Sequence, residues 1–148
     1  SYYKSLGINI ITCDEYYNNV VNNLNSHEWS KFVYIRFLIF KLDIFKQYNM
    51  TIYIDCDTFI TSAFKYNDLI NLDNNITHIG MTPERMASYI FHVNRIIYAC
   101  NKNNITLPNL QKYYNAGVML LKPGILNDTI YNKLIELTRY SSDFLSND

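Results

Sequence analysis

Glycine and proline are scarce in this chain of 148 residues, four and three in all, and no stretch concentrates them, so the sequence contains no flexible linker; nor does it repeat internally. No charge sign dominates. The 13 Lys and Arg residues are balanced by 13 Asp and Glu and are scattered, which excludes a basic stripe for nucleic acid and a polybasic membrane patch. No apolar run approaches membrane-spanning length, because Lys41 and Asp43 interrupt the longest one. Cysteine is sparse as well. Cys13, Cys56 and Cys100 lack zinc-ligand spacing and cannot all pair, so they read as small apolar residues with at most one bridge. His27, His78 and His92 are dispersed, as surface or capped residues are, rather than clustered as ligands. What remains is a hydrophobic content of 49%, enough for the core of one ordinary domain over residues 1–148.

Chemistry first shows in Thr51-Ile52-Tyr53-Ile54-Asp55-Cys56-Asp57. Four β-prone residues predict a strand covered on both faces, and two carboxylates follow at its end. Strand side chains alternate, so Asp55 and Asp57 point the same way if the chain stays extended, while Cys56 points away. Paired carboxylates are hard ligands that select Mg or Mn over Zn, and they leave most of an octahedral shell for water and phosphate oxygens. The alternative is that Asp55 and Asp57 simply begin a turn, a common place for Asp.

A second central strand is predicted at Val118-Met119-Leu120-Leu121, closed by Pro123-Gly124 and opened by Asn115-Ala116-Gly117. Ala116 and Gly117 are small enough for backbone to approach a ligand closely, and the Asn115 amide offers a donor and an acceptor to sugar hydroxyls. Without function, the same triplet is a capped strand entry. Residues 31–46 are apolar almost all round, which predicts a helix buried between layers and carrying Arg36. A guanidinium there needs a partner. A diphosphate matches its planar fork; otherwise it reaches solvent or pairs with a carboxylate such as Asp43 or Asp57.

The remaining pattern alternates strands and helices. Strands are expected at 7–12 and 76–81, an edge piece at 58–61, helices at 15–25, 88–99 and 127–139 with Asn127 as cap, a helical turn at 67–72 and a loop at 101–112. This predicts an α/β fold with a mainly parallel central sheet and flanking helices.

In order, Arg36, Tyr53-Ile54-Asp55-Cys56-Asp57, Met81-Thr82-Pro83-Glu84 and Tyr114-Asn115-Ala116-Gly117-Val118-Met119-Leu120 resemble the glycogenin-like family of retaining nucleotide-sugar glycosyltransferases, and within it most resemble glucoside xylosyltransferases. The likeness covers about residues 7–121. It implies a GT-A (Rossmann-like) domain and transfer of a sugar, xylose or another pentose or hexose, from a UDP-sugar to a glycan or glycoprotein acceptor with retention. It implies that Asp55 and Asp57 bind Mn (or Mg) and the donor nucleotide. Arg36 and Asn115, with Ala116 and Gly117, would approach the donor sugar and phosphates. An endoplasmic reticulum or Golgi lumen is implied too, a setting that four N-glycosylation acceptor patterns, at Asn49, Asn75, Asn104 and Asn127, permit.

Set against the family, the sequence shows neither the first strands that hold uridine nor the Asp-Gln or Glu-Gln motif and later histidine that complete the metal site. The expectation is therefore a single, incomplete catalytic domain, a fragment or a degenerate protein. Taken alone, it would be poorly active, and its strands at 51–54 and 118–121 would be uncovered and prone to recruit other chains. Two other classes fit in part. A haloacid-dehalogenase-type phosphatase would use Asp55, Asp57 and Thr58, with Asp55 as nucleophile, but also needs a Gly-Asp motif, and no glycine here precedes Asp. A non-catalytic sugar- or nucleotide-binding remnant would keep the fold without the chemistry.

Overall fold

A strand as apolar as Val118–Leu121 is stable only if both its edges and its faces are covered, and β3 (Tyr114–Leu121) takes the middle of a three-stranded sheet. The computed structural model describes residues 2–14, 18, 28–83, 86–106, 114–138 and 140. β1 (Thr51–Ile54) pairs with β3 from Thr51 opposite Leu121 to Ile54 opposite Val118, and β2 (Ile79–Pro83) pairs with the other edge of β3. Both pairings are antiparallel.

The expected mainly parallel sheet is therefore corrected, while the mixed α/β class holds. β1 and β2 do run the same way, as strands joined through a helix should, but β3 lies between them and opposes both. Alternation of strands and helices constrains the direction of successive strands. It does not decide which strands become neighbours.

One face of the sheet carries the core. Met119 and Leu121 cluster there with Ile39, Phe40 and Leu126, and Leu121 is 0% exposed. The cover comes from a 3-10 segment (Glu28–Phe37), α2 (Leu38–Lys41), α3 (Asp43–Lys46) and α6 (Asp128–Thr138), α1 being the short helix Tyr2–Ser5. A Lys41–Asp128 ion pair of 3.0 Å ties α2 to α6. The single buried helix expected at 31–46 is thus three pieces. Leu42 is extended (φ −76°, ψ 122°), which ends α2 and lets α3 restart, and Val33, Ile35 and Ile44 are left exposed rather than buried all round.

The opposite face is covered by α4 (Tyr66–Asn75) and the loop before it, and the cover is thin: Phe59 is 92% exposed. α4 is a full helix where only a turn at 67–72 was expected, and β2 begins three residues later than predicted because Ile76 still caps α4. α5 (Met86–Lys102) is longer than predicted and ends at Asn104, whose positive φ of 53° does the work usually left to glycine, with the Ile105 N–H returning to the Cys100 carbonyl at 2.9 Å. Asn127 caps α6 as expected, its Oδ1 accepting the Ile130 N–H at 3.0 Å.

Neither the strand expected at 7–12 nor the edge piece at 58–61 forms. Backbone becomes a strand only beside a partner, and among the described residues none pairs with either segment or with the outer edge of β1, where Ile54 is 41% exposed. Glu84, most of the helix expected at 15–25, residues 107–112 and Arg139 lie outside the described residues. Among the described residues, no helix is long and apolar enough to cross a membrane.

Because Leu121 is fully enclosed between α2, α6 and the β3 backbone, Leu121→Ala should destabilise the fold by about 3 kcal/mol, read as a lower urea midpoint at unchanged slope.

Candidate functional site

The site grows from the end of β1. Thr51, Tyr53 and Asp55 fall on the core face by alternation, and the Asp55 N–H donates to the Gly117 carbonyl at 2.8 Å, carrying the β1–β3 ladder one residue past Ile54. There the extension stops. The Thr58 N–H donates back to the Asp55 carbonyl at 3.0 Å, so Asp55-Cys56-Asp57-Thr58 is a turn, and the alternation that would align Asp57 with Asp55 does not apply. Asp57 and Cys56 are exposed in that turn, beside Asp55 by chain connectivity rather than by strand geometry.

Across the ladder, β3 is irregular where the small residues lie. Its register with β2 steps from Met81 opposite Met119 to Thr82 opposite Asn115, leaving Ala116, Gly117 and Val118 with no Cα partner on that side. The Ala116 carbonyl accepts instead from Arg36 Nη1 at 3.2 Å. Asn115 folds over the kink, its Oδ1 accepting the Gly117 N–H at 2.7 Å. A side chain at Gly117 would crowd this corner: an ideal Cβ lies 2.9 Å from Asn115 Oδ1 and 3.2 Å from Asp55 Oδ2.

Arg36 is held from four sides. Besides Ala116, its Nε donates to the Val33 carbonyl at 2.9 Å, its Nη2 lies 3.4 Å from Asp55 Oδ1, and its guanidinium sits 5.2 Å above the Tyr53 ring. The carboxylate partner is Asp55, not Asp43 or Asp57; Asp43 pairs with Lys46 at 2.6 Å. The Arg36 and Asp55 side chains are 15% and 28% exposed, so the pair is shielded enough to matter and open enough for a ligand to reach.

Tyr53 completes the group, a residue not among those expected from the sequence. Its hydroxyl donates to Asp55 Oδ1. Burial, then this hydrogen bond, push the phenol from its ordinary 10.0 up to about 12, against the pull of Arg36. Alternation was the missed signal, since positions 53 and 55 share a face.

Arg36, Asp55, Asn115, Ala116 and Gly117 therefore meet at one corner, with Asp57 exposed on the adjoining turn. Among the described residues no three His, Cys, Asp or Glu side chains gather as a metal cluster. The donor chemistry nevertheless suits a hard cation: Asp55 Oδ2 takes no hydrogen bond from the described residues and lies where a Cβ on Gly117 would crowd it at 3.2 Å.

Among the described residues, two cavities flank the sheet. One of about 510 Å³ runs along β1 and is lined by Ile11, Cys13, Arg36 and Tyr53 among others. The other, about 550 Å³, lies on the opposite face among Phe59, Phe64, Leu72 and Leu120. The larger has no carboxylate or cation in its wall, so the smaller, which reaches Arg36, is the better candidate for a polar ligand.

Among known proteins, the sequence model of the family described as Glycosyl transferase family 8 matches residues 2–143. No curated protein and no solved structure matches the chain.

Tyr53 keeps its proton more tightly when folded, so its contribution to stability is complete below pH 10 and is lost as pH rises toward 12. Denaturant melts between pH 9 and 12 should fall more steeply for the wild type than for Tyr53→Phe; identical slopes would contradict the contact.

Proposed function

The chain belongs to glycosyl transferase family 8, and from that premise we propose that it transfers a sugar, xylose or another pentose or hexose, from a UDP-sugar to a glycan or glycoprotein acceptor with retained anomeric configuration. Glycosyltransferase chemistry follows from the family; the donor, the acceptor and the residue roles are the proposal. The observation that carries it is the convergence of Arg36, Asp55, Asn115, Ala116 and Gly117 at the carboxyl end of β1, where a carboxylate oxygen that takes no hydrogen bond from the described residues lies beside a shielded guanidinium. Ligands of α/β sheets bind at such strand ends.

Asp55, through Oδ2, and Asp57, from its exposed turn, would hold Mn or Mg. When bound, that cation supplies Lewis-acid neutralisation of the charge on the departing diphosphate. Of the five N–H groups of Arg36, two donate to the Val33 and Ala116 carbonyls, and those of Nη2, whose nitrogen lies 3.4 Å from Asp55 Oδ1, would meet phosphate or sugar oxygens. Its charge is pre-oriented by the Tyr53 ring and the β3 kink, so it need not reorganise as UDP departs. The Asn115 amide would meet a sugar hydroxyl, and the absence of a side chain at Gly117 would leave the corner to the donor.

The phosphatase reading draws nothing from the family match. A binding remnant differs from a transferase in one respect, turnover: Mn-dependent hydrolysis of UDP-xylose by the purified protein supports the transferase, and tight UDP-sugar binding without hydrolysis supports the remnant.

Calorimetric titration should show Mn affinity at least about tenfold weaker in Asp57→Asn, and unchanged affinity would remove Asp57 from the site. Arg36→Lys keeps the charge but loses the planar fork, so UDP-sugar affinity should fall about tenfold with the melting curve little changed. Normal UDP-sugar binding by Arg36→Leu would make Arg36 purely structural.

A further inference from the structure

Tyr53 touches both charged members of the site. Its hydroxyl donates to Oδ1 of Asp55, and its ring lies 5.2 Å beneath the Arg36 guanidinium, whose Nη2 is 3.4 Å from that same oxygen. Two donors thus converge on Oδ1, and neither touches Oδ2. The terminal torsion of an aspartate is broad, so an untethered carboxylate swings freely. Here it cannot turn without losing a hydroxyl and a guanidinium together. Oδ2 consequently keeps one direction, toward the space that a Cβ on Gly117 would enter at 3.2 Å.

The tether is itself anchored. The Tyr53 ring packs against the cluster of Ile39, Phe40, Met119, Leu121 and Leu126, so the oxygen's direction is referred to the core of the sheet rather than to the turn that follows it. A short polar side chain at position 53 would not span that distance, and phenylalanine would fill the same space without the donor.

We propose that Tyr53 is a positioning residue: with Arg36 it locks Oδ1 of Asp55, so that Asp55 would offer a cation one oriented oxygen, Oδ2. The proposal rests on the cation reading of Asp55 and Asp57 given above. Partners that orient a metal-ligating side chain typically alter metal affinity by about 10–100-fold when removed.

The test is a Mn titration followed by electron paramagnetic resonance on the wild type, Tyr53→Phe and Gly117→Ala. Phe retains the ring under the guanidinium, so Tyr53→Phe should melt within about 5 °C of the wild type. Its Mn dissociation constant should rise about 10–100-fold, with a changed line shape for the bound ion. A purely structural tyrosine would shift the melting curve and leave the dissociation constant alone. Gly117→Ala, which disturbs no hydroxyl, should also weaken Mn binding by crowding Oδ2, and it serves as the deciding variant if Tyr53→Phe does not fold. Wild-type binding with unchanged or tighter binding in Tyr53→Phe overturns the positioning role; so does unchanged binding in Gly117→Ala. Failure of the wild type to bind Mn overturns the cation reading itself, and the positioning role with it.

Discussion

Everything in this molecule hangs on β3 running antiparallel between β1 and β2. Its two ends do different work. The apolar end, Met119 to Leu121, is roofed by α2 and α6 and supplies the core, while the small polar end, Asn115 to Gly117, leaves regular pairing and supplies a corner. Because the strands are antiparallel, the start of β3 lies beside the end of β1, and Gly117 therefore faces Asp55. Reverse either strand and those residues would sit at opposite ends of the sheet.

That juxtaposition creates an electrostatic problem that the site resolves locally. A carboxylate 28% exposed loses much of its hydration, and so does a guanidinium 15% exposed. Each offsets the other's loss, two of the arginine's N–H groups are matched to carbonyls of Val33 and Ala116, and its plane lies over a π face. The irregular step in β3 is part of this arrangement, since a carbonyl fully engaged in a ladder would be a poorer acceptor for Arg36. Strand distortion next to chemistry has a physical use here: it frees backbone polarity for a side chain.

The broken helix before β1 belongs to the same account. A continuous helix through 31–46 would have to bury an apolar surface on all sides, and the sheet offers only one. Extension at Leu42 lets α2 bury Leu38, Ile39 and Phe40 against the sheet while α3 restarts at Asp43 and turns its exposed side outward. Arg36 then lies on the 3-10 segment just upstream, close enough to β1 and β3 to reach both.

Much could be read from the residues themselves. The strands at 51–54 and 118–121, the helices after Ser88 and Asn127 and the ordered motifs around Asp55 and Asn115 are local signals, carried by β-branched runs, periodicity and caps, and local signals survive without knowledge of the partner. What the sequence determined was thus composition, element type and the short list of candidate residues, together with the α/β class. Tertiary structure alone decided that β3 divides β1 from β2, that 7–12 finds no ladder among the described residues, that Asp57 leaves the strand in a turn, and that Arg36 answers to Asp55. Each of these depends on which surfaces meet, and pairing between segments 60 or more residues apart is set by how whole faces are covered, a quantity that no window of sequence contains.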